Sequence, residues 1–104
     1  MKVEWNKKAE QQWYSMAAYI NKTFGKKALL DFTQNVKEWQ SRIAINPEIA
    51  AFEPLLKNRR KPYRSIVIHE CCKLIYYINQ KEEVVRVVAL WDTRREPVKL
   101  AANT

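Results

Sequence analysis

The residues of this sequence with the most chemistry to offer are its cations. Lys57, Arg59, Arg60, Lys61 and Arg64 stand within eight positions of one another, and Lys73, Arg86, Arg94 and Arg95 follow. Lysine and arginine hold positive charge and N–H donors against phosphate or carboxylate oxygens. Such a set therefore suits an anionic partner, or a reaction that builds negative charge. The whole chain repeats the signal: 19 Lys and Arg against 11 Asp and Glu give a net charge of +8. Nucleic acid, the ribosome, an acidic protein or an anionic membrane surface are the partner classes this charge implies.

Groups that would start a reaction are scarce. His69 is the single histidine and reads as a turn or surface residue. Cys71 lies two positions away, but a thiol-imidazole pair needs a geometry that this spacing does not assure. No Ser-His-acid arrangement stands out. The two cysteines, Cys71 and Cys72, are adjacent, so they diverge rather than converge on a metal, and no second histidine exists. The expectation is no metal, no structural zinc and no cofactor. The single glycine, Gly25, excludes a glycine-rich phosphate loop. Neighbouring cysteines are also too close for an ordinary disulfide, so both are expected as reduced thiols on opposite faces of a strand. The opening Met1-Lys2-Val3-Glu4-Trp5 lacks an apolar signal-peptide run, and no stretch of about 18 apolar residues exists. A cytosolic protein with no membrane partner is expected.

These cations need a scaffold, and its pattern is legible. With 104 residues, 47% of them hydrophobic, the chain has the size and apolar content of one domain over 1–104 that folds without staples. Val3 and Trp5 alternate with Lys2 and Glu4, the period of a half-buried strand. Asn6 follows as a helix N-cap, and Ala9, Trp13, Met16, Ala17, Ile20 and Phe24 then recur at three- and four-residue steps as one apolar stripe. Gly25 sits where a helix end needs a left-handed residue. A second stripe, Leu29, Phe32, Val36, Trp39 or Gln40, and Ile43, runs to Asn46-Pro47, which ends it. The segment 47–62 holds three of the four prolines and most of the basic cluster, and reads as a long irregular connection. Runs rich in Ile, Val and Tyr at 63–68, 71–79 and 83–91 predict three strands, with turns at His69-Glu70 and Asn79-Gln80-Lys81.

The order β-α-α-β-β-β, with helices segregated from a meander, predicts an α+β fold: an antiparallel sheet carrying an N-terminal strand, a helical hairpin on one face and a three-stranded C-terminal meander. Alternation groups Arg64, Ile66 and Ile68 on one face of the second strand. It groups Lys73, Ile75 and Tyr77 on the third, and Val84, Arg86, Val88 and Leu90 on the fourth. If these sets share the face away from the helices, that face combines cations with an apolar floor. It is then to be covered by a partner, the C-terminal tail or a second copy.

Three stretches, taken in order, carry a family likeness. They are Tyr63-Arg64-Ser65-Ile66-Val67-Ile68, Lys73-Leu74-Ile75-Tyr76-Tyr77-Ile78, and Val87-Val88-Ala89-Leu90-Trp91-Asp92-Thr93-Arg94-Arg95-Glu96-Pro97. Together with the helical hairpin and its exit at Asn46-Pro47-Glu48-Ile49, they make nearly the whole chain resemble the RelE/ParE superfamily of toxins. The resemblance implies the toxin of a type II, plasmid-stabilising toxin-antitoxin pair, neutralised by a cognate antitoxin whose C-terminal segment wraps it. RelE-like members enter the ribosomal A site and cut mRNA without a metal. ParE-like members inhibit DNA gyrase and are not nucleases.

On the RelE-like pattern, Arg64, Lys73 and Arg94 fall on basic positions that would stabilise the charge of RNA cleavage, with Lys73 or Glu96 left to act as base. Ile66 stands where that pattern has its second basic residue, and no tyrosine follows Tyr77. The ending Trp91 to Pro97 is more similar to ParE-type members. The expectation is therefore a gyrase-binding toxin that meets its target through Arg59, Arg60, Lys61, Arg86 and Arg95. Its antitoxin is expected on Ile66, Ile68, Ile75, Tyr77 and Leu90. A ribosome-dependent endoribonuclease and a diverged, antitoxin-binding regulatory module are the alternatives. A homodimer, or a heterotetramer with antitoxin, is the assembly considered.

Overall fold

The computed structural model describes residues 1–69 and 72–94. Strand β1 (Lys2–Trp5) leads through Asn6 into helix α1 (Lys7–Phe24), and helix α2 (Lys26–Ile45) follows after Gly25. The Asn6 side chain accepts a hydrogen bond from the Ala9 amide at 2.8 Å, satisfying one of the free donors of the first turn. Gly25 serves as both the end of α1 and the start of α2, with φ at 94°, a backbone conformation that a side chain would strain. The meander is formed by β2 (Arg64–His69), β3 (Cys72–Asn79) and β4 (Val84–Asp92).

The four strands make one sheet in the order β1-β4-β3-β2. The meander is antiparallel throughout, whereas β1 joins β4 in parallel, pairing Lys2 with Val84 and Trp5 with Val87, so the sheet is mixed. Both helices pack on one face. Ala9, Met16, Ala17 and Ile20 of α1 and Phe32, Val36 and Ile43 of α2 are buried there against Ile68, Cys72, Leu74, Tyr76, Val85, Val87 and Leu90. Phe24 departs from the expected stripe. It lies past the last buried turn, is half exposed, and sets its ring 6.2 Å from that of His69.

Two bulges decide which side chains share a face. One interrupts the β2-β3 pairing between Val67 and His69, the other the β3-β4 pairing at Tyr76, where Val88 is the extra residue. An inserted residue reverses the alternation beyond it. Arg86 therefore lies on the face away from the helices opposite Tyr77, while past Val88 it is Ala89 and Trp91, not Leu90, that point there. Register also sets β2 against expectation. Arg64 pairs with Tyr76 and Ile66 with Leu74, so the set Arg64, Ile66, Ile68 belongs to the helix-side face, not beside Lys73, Ile75 and Tyr77.

Candidate functional site

The face away from the helices is covered by this chain's own segment 46–63. It leaves α2 on the helix side, where Ala50 joins the core and the Tyr76 hydroxyl donates to the Pro47 carbonyl at 2.7 Å. Burial pushes the Tyr76 phenol above its ordinary value, while its bond to Ala50 and the nearby Arg64 charge pull the other way. Arg64 donates to the Ala50 carbonyl at 2.7 Å and lies 4.1 Å from the Phe52 ring centroid. The segment then runs along the open edge of β2. Glu53 N–H donates to the Tyr63 carbonyl at 2.9 Å, and Ser65 N–H to the Ala51 carbonyl at 3.1 Å, with Phe52 bridged to Arg64 between them.

Past that edge it turns onto the far face. A short 3₁₀ turn, Pro54–Leu56, starts with proline, whose missing N–H costs nothing at this position. Leu56 drops from it onto Ile75, Ala89 and Trp91. Beside them, Glu53 is only 3% exposed, yet both its oxygens are satisfied: Lys73 Nζ forms an ion pair with one, and Ser65 Oγ donates to the other at 2.7 Å. A buried carboxylate is tolerable only when so partnered. Tyr63 and Tyr77 meet edge to face at 5.8 Å, with Lys61 Nζ 4.9 Å from the Tyr77 ring. Burial raises the Tyr63 pKa, the neighbouring Tyr77 adds to the rise, and Arg59 opposes it.

The candidate residues separate into groups that do not converge. Lys73 lies on the far face, held by Glu53. Arg64 lies on the other side, committed to carbonyls of the segment's first turn. Arg94, past the end of β4, is bound to both Asp92 oxygens and donates to the Tyr19 hydroxyl of α1 at 2.5 Å. Those bonds, the one to Asp92 first, raise the Arg94 pKa further. Arg86 joins Glu4 of β1, at 2.5 Å, to Glu82 of the hairpin turn, and its pKa is raised chiefly by the Glu82 hydrogen bond. Arg59, Arg60 and Lys61 are exposed, as is Lys57. Of the apolar candidates, Ile68, Ile75 and Leu90 are buried within this chain, while Ile66 and Tyr77 keep partial exposure. Arg95, Glu96 and Cys71 lie outside the described residues.

Glu53 was invisible to sequence reasoning. It sits in the proline-bearing segment with no periodic neighbours, and only its i+1 proline hinted at a structured turn. Among the described residues no group of three or more His, Cys, Asp or Glu could hold a metal ion, and no helix is long and apolar enough to cross a membrane.

A four-stranded sheet with a helical hairpin on one face and a segment wrapping the other is a fold shared with known bacterial toxins. A chain of the chromosomal ParDE TA system from P. aeruginosa superposes with a TM-score of 0.69 at 12% identity, covering 88% of this chain and 95% of that one. The YoeB/ParE toxin from Agrobacterium tumefaciens gives 0.60 at 16% identity, covering 88% and 98%. The isolated E. coli RelE toxin gives 0.60 at 17% identity, covering 97% and 93%. At these identities the likeness concerns the fold. No curated protein sequence matches the chain. The sequence model of the ParE toxin of the type II toxin-antitoxin system, parDE, matches residues 3–97, and the chain belongs to that family. Membership implies an antitoxin as partner.

Proposed function

We propose that this toxin acts by binding and poisoning DNA gyrase and has no nuclease step. The observation that carries this reading is the ion pair between Lys73 and the buried Glu53. Metal-free RNA cleavage needs several cations and a base converging on one phosphate. Here Lys73 is neutralised beneath the segment 46–63, Arg64 points to the other side of the sheet, and Arg94 is bound by Asp92. His69, the single histidine, has its ring near those of Phe24 and Phe32 at the helix side, and Glu96, the other candidate base, lies outside the described residues.

The exposed cations Arg59, Arg60 and Lys61 are then the primary contacts with the gyrase–DNA complex. Arg86, already shared by two carboxylates, contributes less. An antitoxin reaching the far face meets Tyr77 first, because Ile75 lies beneath Leu56. The test is purified toxin in a gyrase supercoiling assay, alongside pulse labelling after induction in a bacterial host. Loss of supercoiling and an early fall in DNA synthesis are expected. Intact supercoiling at saturating toxin, with an immediate fall in protein synthesis and cuts in translated mRNA, would overturn the reading in favour of an endoribonuclease.

A further inference from the structure

We infer that the outer rim of the segment 46–63 docks on the phosphate backbone of duplex DNA. The inference rests on the gyrase reading, since gyrase works on duplex DNA, and assigns part of the toxin's affinity to the nucleic acid instead of the enzyme.

Lys57, Arg59, Arg60 and Lys61 fall within five consecutive positions, and all four are exposed. Among the described residues none forms a salt bridge, in contrast to Lys73, Arg86 and Arg94. Lys61 is positioned over the Tyr77 ring, and Arg59 acts electrostatically on the Tyr63 phenol. The backbone carrying them is fixed from beneath by Leu56 in the far-face core and by Glu53 on Lys73 and Ser65. The rim thus presents cations from a seated platform, with a cleft of about 340 Å³ running between Phe52 and Tyr63 beside them.

A protein interface of ordinary strength has an apolar centre and a charged margin. This rim differs: Leu56 is turned inward at 2% exposure, and although Phe52 and Leu55 of the same segment keep exposed apolar surface, the stretch 57–61 offers only Lys57, Asn58, Arg59, Arg60 and Lys61, all exposed and all polar. Closely spaced, unneutralised cations on a fixed backbone match a polyanion whose charges repeat at short intervals, which is the character of a phosphodiester backbone. The +8 net charge of the chain steers it in the same direction.

The experiment is fluorescence anisotropy of the full chain with a labelled DNA duplex over a salt series. Two variants of equal charge change are compared with the parent: Arg59→Gln/Arg60→Gln/Lys61→Gln at the rim, and Lys22→Gln/Lys26→Gln/Lys27→Gln at the helical hairpin's exposed tip. If four rim cations displace counterions, log K falls with log salt at a slope of about −3.6, roughly 150-fold between 50 and 200 mM salt. The rim variant is expected to lose roughly tenfold or more in affinity and about 2.7 units of slope, and the tip variant to stay within about one unit of the parent. All six side chains are exposed, so circular dichroism checks that both variants remain folded.

Absence of binding at 50 mM salt overturns the inference, as does equal loss in both variants. Equal competition by poly-glutamate, or tighter binding to an RNA duplex of the same length, also overturns it. A toxin that blocks supercoiling yet binds no DNA removes this inference and leaves the gyrase reading standing. One that binds DNA through the rim and leaves supercoiling untouched supports the inference and removes the gyrase reading.

Discussion

On one face of the sheet two helices of 18 and 20 residues bury Ile20, Phe32, Ile43 and their neighbours; on the other, a segment with three residues of 3₁₀ turn buries Leu56 and a carboxylate. The first face is closed by repeated apolar contact, spread over many side chains, so no single polar pairing carries it. The second face has a smaller cluster, Leu56 on Ile75, Ala89 and Trp91, and its covering segment is anchored there chiefly by that leucine and by the buried Glu53 with its Lys73 and Ser65 partners. The difference teaches where cooperativity resides. Damage to the helix face spreads through the whole fold, whereas damage to the far face is expected to release the segment 46–63 as a local unit.

Four measurements break or sharpen this contrast. Phe32→Ala, which empties a fully buried ring site, is expected to cost about 4 kcal/mol in urea unfolding and to lower protection of every strand in hydrogen exchange. A loss confined to α2 would break the contrast. Glu53→Gln leaves the Lys73 ammonium without its counter-charge and is expected to cost about 3 kcal/mol, with exchange and proteolysis rising first within 46–63. Adding Lys73→Met should recover most of that loss, because no buried charge then remains. A double variant as unstable as the single one would mean that shape, not charge, decides. Leu56→Ala should cost about 2 kcal/mol at the lower end of core truncations and loosen the same segment, leaving the helix-side amides protected.

The smallest effect is a titration. Tyr63 and Tyr76 both have folded pKa values raised above 10.0, so the unfolded chain loses its phenolic protons first as pH rises. Their contribution is complete below pH 10 and disappears as pH climbs through the folded values. The melting temperature should therefore fall on the alkaline side above about pH 10, and Tyr63→Phe should flatten part of that fall. An alkaline arm unchanged in Tyr63→Phe would show that Tyr63 does not share in it.

The helices were legible because their signals are local. The Asn6 cap, the Gly25 break and the three- and four-residue spacing each depend on a few neighbouring residues, and tertiary packing did not override them. The strands were legible in position and order but not in facing. Their alternation is regular only between bulges, and neither Ile68 nor Val88 differs in type from the β-branched residues around it. The parallel direction of β1 was also hidden, since four alternating residues read the same either way. The candidate site was legible as charge and illegible as geometry. Nothing near Lys73 announces that its partner is Glu53, 20 positions earlier, and that pairing separates the cations held within the fold from those offered outside it.

The pairing of the first strand with the last carries a consequence for how the chain is made. Glu4 meets Arg86 across 82 positions, and among the described residues β1 has no other strand beside it. During synthesis β1 must wait, unpaired, until β4 has emerged, and the two helices have no completed sheet on which to bury their stripes. Contacts of such long sequence separation slow folding and concentrate it late. A truncated product ending before Val84 lacks the strand that joins β1 to β3. Among chains that stop before β4 the fold is therefore expected to be absent, not partly formed, and the toxin to be born in a single step once β4 has emerged.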